Sequence, residues 1–171
     1  MKLDRSKHCI IPQPLTRDAF AIFGDVIEVD EKRNNFMIND GYTQRYHDLA
    51  KVDVSTNAGK VLLNIFRATP LPEPIIVKKM ERHPLSSQAF IPLGEQPYLV
   101  VVAPAGPFDE TAIRVFSASP DQGVNYNPGT WHHFCLAQHE ISDFLVVDRS
   151  SEGENCDIAK LNRFIEIGHA Q

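Results

Sequence analysis

Glu81, His83 and Gln88 stand in the run E-x-H-x4-Q, and His132 closes a second run, Pro-Gly-x-Trp-His. Imidazole titrates nearest neutral pH, and a carboxylate beside it can orient it, act as a base or join it on a metal. A carboxamide both donates and accepts hydrogen bonds. The set fits proton transfer at a small polar substrate, with His83, His132 and Glu81 as the catalytic groups. It also fits a metal site of Glu81, His83, Gln88 and His132. Gln88 is a weak, neutral ligand, so such a metal would exchange readily. Arg67 ends the run LLNIFR and is placed to grip a carboxylate through two parallel bonds. Tyr126 and Trp131 read as pocket wall or core, with Tyr126 in reach of a substrate.

These residues need strands to position them. On a strand, alternate side chains share a face. Ile75, Val77, Lys79, Glu81 and His83 therefore point one way, with Ile76, Lys78, Met80 and Arg82 opposed. A turn at Pro84–Ser87 would then bring Gln88 back beside His83 as a hairpin. The same alternation sends His132 and His133 to opposite faces.

The runs DVIEV, KVLLNIFRA, PYLVVVAP, AIRVFSA and DFLVVDR are short and bounded by Gly, Pro, Asp or Asn, and the chain has 12 prolines. That pattern predicts an antiparallel all-β sandwich or barrel and excludes βαβ units. KVLLNIFRA is apolar enough to be buried on both faces. Thr16 can cap a short N-terminal helix that buries Phe20 and Phe23 and stops at Gly24. Ile158, Leu161 and Phe164 share a helical stripe, which predicts a C-terminal helix over 155–165.

With 171 residues, 43% of them hydrophobic, one domain over 1–171 is expected. A net charge of -5 without a basic block argues for a small-molecule substrate and against nucleic acid or an anionic membrane. The N-terminus lacks the apolar stretch of a signal peptide. Three scattered cysteines read as reduced thiols in a cytoplasmic protein. His8, His47, His139 and His169 read as ordinary surface or core histidines.

The two polar runs resemble the paired motifs of cupins, G-x5-H-x-H-x3-4-E-x6-G and G-x5-P-x-G-x2-H-x3-N. Glu81, His83 and Gln88 take the places of His, His and Glu in the first. His132 takes the place of the His in the second, and a double-stranded β-helix, or jelly-roll barrel, is the fold implied. The segments PLTRDAFAIFGDVIE, RYHDLA, ERHPLSSQAFIPL, GVNYNPGTWHH and DFLVVDR are similar to those of the ureidoglycolate lyase family, over residues 14–157. Residues 1–13 lie outside that likeness and read as an extension. The resemblance implies cleavage of (S)-ureidoglycolate to glyoxylate and urea in allantoin breakdown. It further implies a homodimer, no organic cofactor and a divalent metal, nickel being the one associated with the family. Two other functions stay open at this point: an amidohydrolase that releases ammonia from the same substrate, and a cupin that binds a small ligand without turning it over.

Overall fold

Thr16 caps the one α-helix among the described residues, α1 (Arg17–Phe20), its hydroxyl accepting from the Ala19 N–H at 3.3 Å. The short N-terminal helix is thus as the sequence predicts, with Phe20 and Phe23 buried. The computed structural model describes residues 8–169. Its strands are β1 (His8–Ile10), β2 (Gln13–Pro14), β3 (Gly24–Ile27), β4 (Asn35–Ile38), β5 (Thr43–Tyr46), β6 (Lys60–Ala68), β7 (Ile76–Arg82), β8 (Gln88–Pro92), β9 (Tyr98–Ala103), β10 (Arg114–Ala118), β11 (Gly123–Tyr126), β12 (Trp131–His132), β13 (Leu136–Ala137), β14 (Ser142–Ser150) and β15 (Asp157–Ile167).

The larger sheet runs β1-β15-β7-β12-β9-β10-β2, with β13 also on β9, and the smaller runs β3-β11-β8-β14-β6. They curl into the all-β, cupin-like jelly roll expected. Apolar alternation explains the layering. On β9, Tyr98, Val100 and Val102 join a core with Phe20, Phe90, Phe116 and Phe144. Leu99, Val101 and Ala103 face the other way, into a second core with Met80, Trp131 and Leu161.

Five expectations are corrected. The C-terminal segment is a strand, β15, not a helix. From Lys160 to Ile165 it takes five steps against the two from Lys79 to Val77 on β7. That bulge buries Leu161 and Ile165, four apart, and so mimics a helical period. Met80 and Val77 are buried in the same core, so strict alternation along β7 also fails there.

Strand β6 is not buried on both faces. It is a free edge, and Val61, Leu63 and Ile65 on its outer face are 59%, 64% and 57% exposed. Nor do β7 and β8 form a hairpin: at residues 83–87 the chain crosses from the larger sheet to the smaller. Finally, residues 8–13 of the expected extension are built into the larger sheet. β1 pairs with β15, and β2 with β10, both in parallel. Residues 1–7 of the expected extension lie outside the described residues.

Candidate active site

Glu81, next to last in β7, is the direct cross-strand partner of His132 in β12. Opposed residues in an antiparallel pair project from the same face. His83 follows just past the end of β7. Ligand atoms of Glu81, His83 and His132 lie within 4.8 Å of one another. The two imidazole centroids are 5.2 Å apart. His132 is 1% exposed and the Glu81 side chain 29%, so the carboxylate sits at the mouth and the imidazole at the floor.

The smaller sheet supplies the facing wall. Tyr126 of β11 stacks on His132 with centroids 4.3 Å apart and planes 3° from parallel. Gln88, the cross-strand partner of Tyr126, is buried beside it. The pocket therefore straddles the two sheets, which is why Gln88 reaches it without a hairpin.

Each imidazole has a fixed tautomer. His83 Nδ1 lies 2.6 Å from the Asn155 carbonyl oxygen, and His132 Nδ1 lies 3.2 Å from that of His133. A carbonyl only accepts, so each Nδ1 carries the proton. Each Nε2 then presents a lone pair. Both Nε2 atoms, and Gln88 Oε1, are buried with no hydrogen-bond partner in the protein. Buried lone pairs left unmatched are costly and call for a complement. Burial, and then the neighbouring His83, push the His132 pKa down to about 3. His132 is thus a neutral acceptor or ligand at pH 7 rather than a proton shuttle.

The donor set suits a divalent transition metal: two imidazoles and one carboxylate, with a ligand atom of each in mutual reach. Gln88 stands beside this trio through Tyr126, with an unmatched oxygen of its own.

Arg67 does not join the cluster. Its guanidinium makes a two-pronged pair with Asp143, at 2.8 and 2.9 Å, and its side chain is 72% exposed. By register, Arg67 opposes Asp143, the neighbour of Phe144, which opposes Pro92 at the far end of β8. Gln88 opens β8, so the two residues stand five strand steps apart, roughly 17 Å. Arg82 is also committed, to Asp157 and the Gly106 carbonyl, each at 2.8 Å. The residue that sequence reasoning missed is Asn155. Besides its carbonyl on His83, its Oδ1 accepts from Leu85 N and its Nδ2 donates to Ser86 Oγ, each at 2.8 Å. A backbone carbonyl has no signature in sequence.

Comparison with known proteins decides the family. The family model described as ureidoglycolate lyase matches residues 7–167. The chain belongs to the ureidoglycolate lyase family. The ureidoglycolate lyase of Burkholderia mallei (strain NCTC 10229) is 54% identical over 143 residues, 84% of each chain. That of Pseudomonas syringae pv. syringae (strain B728a) is 52% identical over 149 residues, 86% of this chain and 87% of its own. The family match takes in β1 and Gln13 of β2, which the likeness read over 14–157 left out. No helix among the described residues is long and apolar enough to cross a membrane.

Proposed function

We propose that the chain cleaves ureidoglycolate to glyoxylate and urea, as a step in allantoin breakdown. The observation that carries the reading is a buried set of unmatched lone pairs, on His83, His132 and Gln88, beside the Glu81 carboxylate in a member of this family. The ureido group carries three N–H donors and the reacting carbon a hydroxyl. A pocket rich in acceptors complements both.

Cleavage moves one proton off the hydroxyl and one onto the departing nitrogen. The O–H pair becomes the aldehyde C=O, and the C–N pair leaves with the nitrogen of urea. Glu81, at the mouth, takes the hydroxyl proton. Gln88 holds the ureido group, its Oε1 accepting an N–H. His132 stays neutral, flat against Tyr126, and so does not compete for protons at pH 7. Acid–base groups of this kind contribute about 10²–10⁴-fold in rate. Glu81, His83 and His132 would hold a divalent ion such as nickel. When bound, it would polarise the hydroxyl and balance the substrate carboxylate. Neither Arg67, paired with Asp143, nor Arg82, paired with Asp157, is free to fill that second role.

The same reading takes the protein as a cytoplasmic homodimer. Free thiols at Cys9, Cys135 and Cys156 support the compartment. The open apolar face of β6, flanked by its cross-strand partners Leu145 and Val147, supports self-association.

Purified protein is incubated with racemic ureidoglycolate, with and without chelator, and glyoxylate, urea and ammonia are assayed. Glyoxylate with urea is expected, falling on chelation. Ammonia in place of urea would reassign the reaction to an amidohydrolase, and no product would leave a binding protein. His83→Ala is expected to lower turnover by at least about 100-fold.

A further inference from the structure

Strands β7 and β15, with residues 133–134 just past β12, line a second cavity, of about 510 Å³. That volume lies within the range of small-molecule sites. Its walls are Ile76, Phe134 and Phe164, and three lysines, Lys78, Lys79 and Lys160, stand around them. Lys79 and Lys160 are direct cross-strand partners. Like charges placed so are destabilising. None of the three is paired with a carboxylate among the described residues. The bulge in β15 and the broken alternation of β7 put adjacent Lys78 and Lys79 on one cavity, in a chain of net charge -5. Lys78 Nζ lies 5.9 Å from the Phe164 ring centroid, so charge and aromatic surface are presented together.

We propose that this cavity binds a small organic anion with an aromatic or branched apolar body, such as an aryl carboxylate, and that occupancy is felt at His132. The apolar walls take the body, and the lysines take the charge. The link is short. His133 lines the cavity, and its carbonyl is the acceptor that fixes the His132 tautomer. Pressure on His133 therefore shifts the atom that orients the catalytic imidazole. The coupling rests on the lyase reading; the binding does not.

The probe is anilinonaphthalene sulfonate, an aromatic anion whose fluorescence rises in apolar surroundings, titrated into wild type and into the double variant Lys79→Met, Lys160→Met. These exchanges keep the apolar stems and remove two charges outside the catalytic cluster. Lys51→Met serves as a control for general charge, and Leu63→Ser for probe taken up on β6. Circular dichroism confirms that each variant is folded. Phenylacetate is expected to displace the probe, and its uncharged alcohol is not. Binding to the double variant is expected to be roughly tenfold weaker or more. Equal binding by the double variant, equal displacement by the alcohol, or no displaceable signal would overturn the site. Phenylacetate is further expected to change turnover in wild type and not in the double variant. Binding with unchanged turnover would overturn the coupling alone. Absence of any turnover would overturn the lyase reading and leave the binding result intact.

Discussion

The backbone carbonyl of Asn155 accepts a 2.6 Å hydrogen bond from His83 Nδ1, while the same residue's side chain ties down Leu85 and Ser86. One residue thus sets the tautomer of a catalytic imidazole and pins the crossing between the two sheets. Neighbours that orient a ligand or base in this way are worth about 10–100-fold in metal affinity or activity. Asn155→Ala is expected to lower kcat within that range while the far-ultraviolet circular dichroism stays unchanged. Asn155→Asp keeps the acceptor for Leu85 N and is expected to retain more activity. Equal losses in the two variants would show that the acceptor for Leu85 N is not what the side chain contributes.

Arg67→Met tests a negative. Its partner is Asp143, at the opposite end of the smaller sheet from Gln88. The KM for ureidoglycolate is expected to stay within about twofold of wild type, the pair being a surface one. A tenfold rise in KM would return Arg67 to the substrate carboxylate.

Acid should weaken the fold through His132. Its folded-state pKa, about 3, lies below the value of roughly 6.5 expected for an unfolded histidine. Between those limits the unfolded chain binds a proton that the folded chain refuses. The favourable balance is complete above pH 6.5 and is lost as pH falls toward 3, by up to about tenfold in the folded-to-unfolded ratio per pH unit. In chelated protein, the His132 ring resonances are expected to hold still from pH 8 to pH 4 while the urea midpoint falls. A titration near 6.5 would contradict the burial argument.

Gly24 opens β3 at φ +156°, and a Cβ there would meet the Asn125 carbonyl oxygen at 1.8 Å. Gly24 also pairs with Tyr126, the residue stacked on His132. Gly24→Ala is expected to cost at least about 2 kcal/mol, which lowers the melting temperature by roughly 4–8 °C. Activity should fall as well at temperatures where the protein remains folded. A melting temperature within a degree of wild type would mean that β3 relaxes freely.

The trio of Glu81, His83 and His132 was legible because its members carry side-chain chemistry at strand spacing, flanked by a strong turn at Asn127–Gly129. Other features had no such mark. An apolar run such as VLLNIF reads the same whether both faces are buried or one is open at an edge. The bulge in β15 placed Leu161 and Ile165 four residues apart in one core, a helical interval produced by a strand. Arg67 looked like an anion clamp because it closes a strand, but sequence does not say which end of a barrel that strand end reaches. The resemblance to cupins fixed the architecture, and with it the face shared by His132 and Glu81.

Glu81 and His132 belong to one sheet, Gln88 and Tyr126 to the other, and Asn155 to the link that precedes β15. No stretch of the polypeptide is therefore a catalytic segment in its own right. A cut in the backbone between residues 93 and 97 would leave Glu81, His83 and Gln88 on one fragment and Tyr126, His132 and Asn155 on the other. Neither fragment would hold a working pocket, and mixing them would restore one only insofar as they rebuilt the whole barrel.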